Sequence, residues 1–323
     1  MPRHAAAGSV SVIDRRDLLS LGMTAASLTL APRWIRASSS EPLSQRSIPS
    51  TGERLPVIGL GSSASFEESA NRGDLQGLTQ VLKAMSDQGA KVFDTAPSYG
   101  ASEAAAGRIA KELGIADKIF WATKTELSAS GGDDAASTRS QVQESLRKLG
   151  VRKLDLVQVH NLANLKTELA VLKDLKRQGL VRYIGVTTTF RGQYTELANC
   201  MRDERLDFIG IDYAIDDREV EKRILPLAID RGTAVLGYVP FGRSNLFKRV
   251  GRSNVPEWAQ EAGMKTWAQF FLKFVIGHPA MTVVTPATSQ PSHMLENLSG
   301  GIAPFPDEPM RRRMIAVIDN LNG

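Results

Sequence analysis

The stretch that decides the fold is residues 91–103, which read KVFDTAPSYGASE. Its apolar start favours a strand, and the proline and glycine in its middle break regular structure. Ser102 suits the N-cap of the alanine-rich helix that follows. The pattern therefore predicts a strand–loop–helix unit in which Asp94 ends the strand and Tyr99 lies in the loop beyond it.

Two later apolar runs also end in a polar side chain. Lys124 ends the run at residues 118–124, and His160 ends the run at residues 154–160. In a parallel α/β barrel the carboxyl ends of the strands converge on one face, where active sites lie. We therefore expect this lysine and histidine to meet the acid and the phenol of the first stretch.

Short apolar runs alternate with amphipathic segments up to the C-terminus, which is typical of repeated βαβ units. The sequence thus predicts an α/β fold, a (β/α)₈ TIM barrel at residues 51–323, with an N-terminal hairpin turning at Gly52 and an extra C-terminal helix. The predicted strands are residues 55–61, 92–94, 118–124, 154–160, 181–186, 207–212, 234–238 and 281–284. The predicted helices are residues 74–88, 102–113, 137–149, 165–178, 193–202, 219–230, 266–276, 292–298 and 308–321, with Gly179 and Gly232 as helix stops.

Length and composition fit a globular protein: the chain has 323 residues, of which 42% are hydrophobic and 23% charged. The formal net charge is +5. Residues 1–37 hold five Arg against two Asp, so three of those charges lie there and the remainder gives no case for nucleic-acid binding. Cys200 is the single cysteine, which rules out an intramolecular disulfide, and the four scattered His match no metal-ligand spacing.

The N-terminus has the pattern of a targeting signal. The twin arginines Arg15 and Arg16 precede two leucines, and a mildly apolar run and small residues at Ala37-Ser38 follow. Residues 1–37 resemble a bacterial Tat signal peptide, which implies export by the Tat machinery to the periplasm. The signal is expected to be cleaved near Ala37 or retained as a membrane anchor, and residues 38–50 are expected to form a linker. A disordered basic leader or a cytoplasmic tail is the alternative.

The motif D-T-A-x-x-Y-G-x-S-E, followed by strands ending in T-K and in V-x-V-H, resembles the aldo-keto reductase family. The resemblance implies an NAD(P)H-dependent oxidoreductase that reduces an aldehyde or ketone to an alcohol, or catalyses the reverse, with a tetrad at Asp94, Tyr99, Lys124 and His160. Tyr99 would protonate the carbonyl oxygen, with its pKa lowered by Lys124. Asp94 would hold Lys124, and His160 would bond the substrate oxygen or assist proton transfer.

No G-x-G-x-x-G follows a strand, so a Rossmann cofactor site is not expected. A barrel binds phosphate with the loops after strands 7 and 8. The resemblance favours NADP(H) over NAD(H), with no metal, and implies that the ring of Tyr238 stacks on the nicotinamide. The implied cofactor-binding residues are Gly61, Ser62, Thr187, Thr188, Tyr238, Phe241, Gly242, Thr288, Glu296 and Asn297.

Several positions depart from the family pattern. Gln290 and His293 stand where basic residues often hold a 2′-phosphate, which weakens the expected preference for NADP(H). Thr188 replaces the usual asparagine amide, Gly210 a glutamine, and Asp212 an asparagine. The resemblance implies that these three changes alter contacts to the nicotinamide carboxamide, which allows weaker nicotinamide binding, a different ring pose or loss of turnover.

Two other functions fit the same barrel. One is an exported nucleotide-binding sensor or partner protein without turnover, and the other is a lyase or isomerase that uses Tyr99 and Lys124 without a cofactor. The sequence identifies neither the substrate, beyond a small carbonyl or alcohol, nor the oligomeric state. The candidate substrate-contacting residues are Phe66, Leu127, Asn161, Phe190 and Phe241.

Overall fold

The computed structural model describes residues 41–127 and 134–321. The predicted signal peptide lies outside these residues, and so do Gly131 and Gly132, which the sequence places in the segment between the third predicted strand and its helix. The strands of the described part are β1 (Gln45–Ser47), β2 (Arg54–Pro56), β3 (Leu60–Gly61), β4 (Val92–Asp94), β5 (Phe120–Thr125), β6 (Leu154–Val159), β7 (Val181–Thr188), β8 (Phe208–Asp212), β9 (Ala234–Tyr238) and β10 (Val283–Val284).

Helices cover the outside of these strands. They are α1 (Ser65–Asn71), α2 (Leu75–Asp87), α3 (Ser102–Glu112), α4 (Asp134–Leu149), α5 (Leu165–Arg177), α6 (Tyr194–Asp203), α7 (Ile224–Arg231), α8 (Asn245–Val250), α9 (Glu257–Glu261), α10 (Trp267–Gly277), α11 (Pro291–Ser299) and α12 (Glu308–Asn320). The extra C-terminal helix is therefore present as predicted. None of the described helices is long and apolar enough to cross a membrane.

The strands from β3 to β10 pair in chain order, and every pair in this sheet is parallel. Parallel bridges from Ile58 to Val284 and from Gly61 to Ala287 join the first edge to the last. This is the (β/α)₈ barrel that the alternating pattern predicted.

Side chains along each strand point alternately into and out of the barrel, and this alternation positions the candidate functional residues. On β5, Phe120 and Ala122 belong to the core inside the barrel, whereas Trp121 packs against the outer helices. Lys124 follows in the inward series, as Asp94 does after the inward Val92. The strands therefore direct their last inward residues toward the mouth of the barrel.

The N-terminal hairpin forms as predicted. β1 pairs antiparallel with β2, and Gly52 at the turn has a φ of +77°. The boundaries around the hairpin differ from the prediction, however. Gln45–Ser47, within the stretch expected to be a linker, form β1, and the predicted strand at residues 55–61 is divided between the hairpin and the two-residue β3.

Two helix predictions are corrected. Ala101, not Ser102, is the N-cap of α3, because the Ser102 hydroxyl donates to the Ser62 carbonyl at 3.0 Å. The predicted helix at residues 219–230 is a short 3₁₀ turn followed by α7. Pro226 lacks an N–H and crowds the preceding turn, so one continuous helix cannot form there. The helices α1, α8 and α9 were not predicted.

Candidate active site

A buried ion pair lies at the centre of the barrel mouth. The ammonium of Lys124 donates to Asp94 Oδ2 at 2.9 Å and to the Thr95 carbonyl at 2.8 Å. The two side chains are only 1% and 5% exposed. The pKa of Lys124 is raised: burial lowers it, but the charge of Asp94, with smaller contributions from Tyr99, more than offsets that effect. Lys124 is therefore a fixed positive charge at neutral pH.

Tyr99 lies beside this charge. The Lys124 ammonium is 5.1 Å from the centre of the Tyr99 ring. Burial nevertheless raises the pKa of the phenol, since the opposing effect of Lys124 is smaller. The expected lowering of this pKa is therefore wrong. At neutral pH Tyr99 keeps its proton, which is the form that a proton donor to a carbonyl oxygen requires.

His160 completes the group of four. Its ring meets the Tyr99 ring edge-on, with the ring centres 6.1 Å apart. On its other side, His160 Nδ1 is 3.0 Å from Glu126 Oε2. Burial lowers the pKa of His160, and the positive charge of Lys124 lowers it further. The sequence analysis did not single out Glu126.

The four predicted catalytic residues line one cavity of about 460 Å³ at the carboxyl ends of the strands. Of the predicted cofactor and substrate residues, this cavity is lined by Gly61, Thr187, Tyr238, Phe241 and Asn161. Ser62 is fully buried beneath it, and Gly242 lines a smaller adjoining cavity. Phe66 is packed in the core against Phe93, while Leu127 and Phe190 lie outside the lining.

The end of β7 shows why Thr188 lies apart from the cavity. Adjacent residues of a strand point to opposite sides, so Thr187 and Thr189 line the cavity and Thr188 points away. The Thr188 hydroxyl donates to Gln193 Oε1 at 2.5 Å and accepts from the Phe190 N–H at 3.0 Å. Thr189 is thus one of the cavity-lining residues that the sequence analysis missed.

Gly210 makes room for Tyr238. A Cβ atom at Gly210 would lie 2.4 Å from Cε2 of the Tyr238 ring. The ring therefore occupies the space that a side chain at position 210 would fill. The Tyr238 hydroxyl reaches into the barrel, 2.9 Å from Gln158 Oε1 and 3.2 Å from Asp94 Oδ1. Tyr238 forms the floor of the cavity and also contacts the ion pair below it.

Asp212 does not face this cavity. Its carboxylate accepts a hydrogen bond from the Tyr194 hydroxyl at 2.8 Å, and it lines the smaller adjoining cavity. Burial raises the pKa of Asp212. Its position on β8 therefore provides a structural contact to α6.

A second cavity of about 470 Å³ adjoins the first and shares four lining residues with it, namely Ser65, Phe241, Ser244 and Ala287. Its far end is lined by Thr288, Glu296 and Asn297, three of the predicted cofactor-binding residues, together with Gln290 and His293. No Arg or Lys is among the described residues that line it. The two cavities form an extended cleft with the ion pair at one end.

The cleft has features that fit a dinucleotide. Thr285 lines the first cavity, and its buried Oγ1 has no hydrogen-bond partner among the described residues. Arg243 and Ser244, which the sequence analysis missed, line the cleft from the loop after β9. Because Gly61 has no side chain, the backbone of β3 can lie close to the backbone of Thr285. A Cβ atom at Gly61 would be only 2.6 Å from the Thr285 carbonyl oxygen. We see no group of His, Cys, Asp and Glu suited to a metal in the part of the chain that the structure describes.

The chain matches known proteins along most of its length. The profile described as "Aldo/keto reductase family" matches residues 57–316. "Aldo-keto reductase YhdN" of Bacillus subtilis (strain 168) is 32% identical over 202 residues, which is 59% of this chain but only 60% of that protein. The "NADH-specific methylglyoxal reductase" of Escherichia coli (strain K12) is 28% identical over 307 residues, 83% of this chain and 91% of that protein.

Among solved structures, an aldo/keto reductase from Klebsiella pneumoniae in complex with NADP and acetate is similar in fold. It superimposes with a TM-score of 0.71 at 22% identity, covering 83% of this chain and 93% of that one. The barrel and its surrounding helices are therefore those of a known architecture.

Proposed function

The chain belongs to the aldo/keto reductase family, and from this we propose that it is an NAD(P)H-dependent oxidoreductase that reduces an aldehyde or ketone to an alcohol, or catalyses the reverse, with Tyr99 as the proton donor. One observation carries the proposal. The Lys124–Asp94 pair, the protonated phenol of Tyr99 and the ring of His160 meet in one cavity that opens into a longer cleft.

Asp94, Lys124 and Tyr99 each have a distinct role in this proposal. Asp94 holds the Lys124 ammonium, whose fixed charge stabilises negative charge that develops on the phenol oxygen of Tyr99 as the proton leaves. Burial of the group keeps bulk water from weakening this interaction. The protein therefore supplies the proton and the electrostatic field, and a substrate oxygen in the cavity receives the proton.

The cleft residues would hold the cofactor, which supplies the hydride when it is bound. Tyr238 offers its ring as the floor for the nicotinamide, and Thr285 and Thr187 offer hydroxyls in the same cavity. Arg243 is the cation of the loop after β9 and suits the pyrophosphate. Thr288, Glu296 and Asn297 stand at the adenosine end.

Turnover of small carbonyls tests the proposal. The full chain, given reduced nicotinamide cofactor and a panel of aldehydes and ketones, should consume the cofactor only when a carbonyl is present. The panel should include methylglyoxal, because a relative that covers most of this chain is named for it. Folded protein that binds cofactor but turns over no carbonyl or alcohol would instead support the sensor or partner function.

The cofactor preference depends on the far end of the cleft. We keep NADP(H) as the expected cofactor, and because no Arg or Lys among the described residues lines that end, we expect only a small preference over NAD(H). His293→Arg should improve binding of NADPH relative to NADH by about tenfold, since a guanidinium can pair with the 2′-phosphate. Dissociation constants for both nucleotides measure this ratio.

The matched control for this change is Leu295→Arg. Leu295 lies on the same helix, α11, is 47% exposed and is not part of the cleft lining. Leu295→Arg adds the same positive charge to the protein but does not place it in the cleft. An equal change in the ratio for both variants would mean that general charge, not contact with the 2′-phosphate, causes the effect.

The N-terminal pattern supports a periplasmic location for this reductase. Residues 1–37, with the twin arginines Arg15 and Arg16, are the proposed Tat signal. Changing both to Lys should abolish export, because the signal is read through its arginine pair. Cell fractionation of the full chain and of this variant is the measurement, and equal amounts of both proteins in the periplasm would contradict the proposal.

A further inference from the structure

The side chain of His160 contacts the carboxylate of Glu126, which has no role in the proposed reduction. Glu126 Oε2 is 3.0 Å from His160 Nδ1, and the two side chains are 38% and 13% exposed. His160 lines the main cavity, whereas Glu126 is not part of its lining. The Nδ1 edge of the ring is therefore engaged away from the cavity, which leaves Nε2 as the ring nitrogen available to a substrate.

The backbone of Glu126 is clamped in place. Its N–H donates to Gln141 Oε1 at 2.9 Å, and its carbonyl accepts from Gln141 Nε2 at 2.7 Å. Gln141 belongs to α4, so the helix after β5 holds the residue that follows the strand. A glutamate on a free loop would have no fixed direction, whereas this one is held two residues beyond Lys124.

The charges decide which nitrogen of His160 carries the proton. Burial raises the pKa of Glu126, but the hydrogen bond from Ser98 and the interactions with His160 and Lys124 together lower it by more, so the carboxylate is ionised at neutral pH. An ionised carboxylate only accepts hydrogen bonds, and Nδ1 must therefore donate. The tautomer of a histidine is set in this way by the hydrogen bond of one ring nitrogen.

The other groups that act on His160 keep the ring neutral. Burial and the positive charge of Lys124 lower its pKa, while Glu126 and Asp94 raise it by less. The remaining neighbour, Tyr99, is protonated and carries no charge at neutral pH. A neutral ring with its proton on Nδ1 has a lone pair on Nε2.

We propose that Glu126 is a positioning residue: it holds His160 as the Nδ1–H tautomer, so that Nε2 accepts a hydrogen bond from the hydroxyl of an alcohol. The proposal rests on the proposed oxidoreductase function and deepens it. An alcohol has a hydroxyl proton to give to Nε2, and a carbonyl has none. The site thus binds the alcohol in preference to the carbonyl at neutral pH.

The pH dependence follows from the same tautomer. Below the lowered pKa of His160 the ring is protonated, and Nε2 becomes a donor that suits a carbonyl oxygen. The preference for the alcohol should therefore be present near pH 8 and decline as the pH falls below about 6.5, the ordinary histidine value. Lys124, Glu126 and Tyr99 do not change charge in that interval.

Nitrogen NMR of the full chain labelled at histidine tests the tautomer directly, without cofactor or turnover. The His160 signals are identified by their loss in His160→Asn. At pH 8 we expect a protonated Nδ1 and an unprotonated Nε2 in the wild type. A protonated Nε2, or a charged ring, in folded wild-type protein would overturn the proposal.

Binding of cyclohexanol and cyclohexanone, followed by the same signals, tests the consequence. Glu126→Leu should lower the affinity for the alcohol relative to that for the ketone by about tenfold. Without the carboxylate, Nε2 can carry the ring proton, and it then donates to a ketone oxygen but no longer accepts from the alcohol. Glu126→Gln keeps an acceptor oxygen and should recover part of the alcohol affinity. Glu144→Leu, on the exposed face of α4, is the matched control and should change neither.

These outcomes separate the proposal from the reductase function. Equal weakening of alcohol and ketone by Glu126→Leu would mean that Glu126 serves structure alone and would overturn the proposal. Failure of the reductase function would appear as absent turnover in the wild type, whereas the tautomer and the two affinities remain measurable in such a protein.

Discussion

Replacing Tyr99 with Phe should lower kcat for carbonyl reduction by about two to four orders of magnitude, which is the usual contribution of a positioned proton donor. The change removes one oxygen and keeps the ring against His160. The affinities for cofactor and substrate should therefore change little, so that the loss appears in kcat and not in KM. Steady-state kinetics on the best carbonyl of the panel measures both constants.

Tyr183→Phe is the control for this change. Its hydroxyl lies by the N-terminal hairpin, 3.0 Å from Thr51 Oγ1 and 2.7 Å from Glu53 Oε2, and it is not part of the cavity lining. This variant should keep the wild-type kcat. A Tyr99→Phe enzyme that retains kcat within about threefold of the wild type would exclude Tyr99 as the proton donor.

Lys124→Met should destabilise the protein by about 3 kcal/mol or more, because removing one member of a buried ion pair leaves the other charge without compensation. Lys124 and Asp94 are 2.9 Å apart and almost fully buried. Once the ammonium is gone, Asp94 retains the Tyr238 hydroxyl as its side-chain partner. Urea unfolding of both proteins measures the difference, and turnover should be lost as well.

Lys83→Met is the matched control for stability. Lys83 pairs with Asp87 on the surface of α2, where both side chains are more than half exposed. Such a pair contributes about 0.5 kcal/mol or less. A loss below about 1 kcal/mol for Lys124→Met would show that the buried pair is not a stabilising feature of the barrel.

The double variant Lys124→Met with Asp94→Asn adds a further check. Because the uncompensated carboxylate is then gone, it should be more stable than Lys124→Met alone.

The pKa of Lys124 is raised in the folded protein, so its contribution to stability is complete below the unfolded value of about 10.4 and is lost as the pH rises through the folded value. The effect of Lys124→Met should therefore be the same at pH 6 and pH 9.

The barrel and the positions of the four candidate catalytic residues were predictable because both depend on local patterns. The apolar strand, the turn residues and the helix start of residues 91–103 are contiguous in the chain, and strand alternation then orients Asp94 and Lys124 inward. Gly179 and Gly232 end their helices with positive φ values of 77° and 62°, as expected from their positions.

Other features depend on contacts between distant parts of the chain. Glu126 meets a histidine 34 residues away, and its direction is set by Gln141 on the next helix. Tyr238 meets Asp94 across 144 residues, in space left by Gly210. No pattern within a single segment encodes such contacts.

The direction of the Tyr99 pKa shift also depends on contacts between distant parts of the chain. From the sequence, the neighbouring Lys124 charge was expected to decide it, whereas burial is the larger cause in the folded protein. Burial of a loop residue depends on the walls that surround it, and here the loops after several different strands supply those walls. Predicting this shift therefore requires the folded cavity.

Binding of NADPH and NADH to the full chain tests the central claim most directly. Trp267 begins α10 next to Ala268, which lines the far part of the cleft, so quenching of tryptophan fluorescence can report binding. We predict saturable quenching by both nucleotides, with dissociation constants within about tenfold of each other because no cationic side chain is seen to line the 2′-phosphate end. Absence of binding by either nucleotide to protein shown to be folded would contradict the oxidoreductase function.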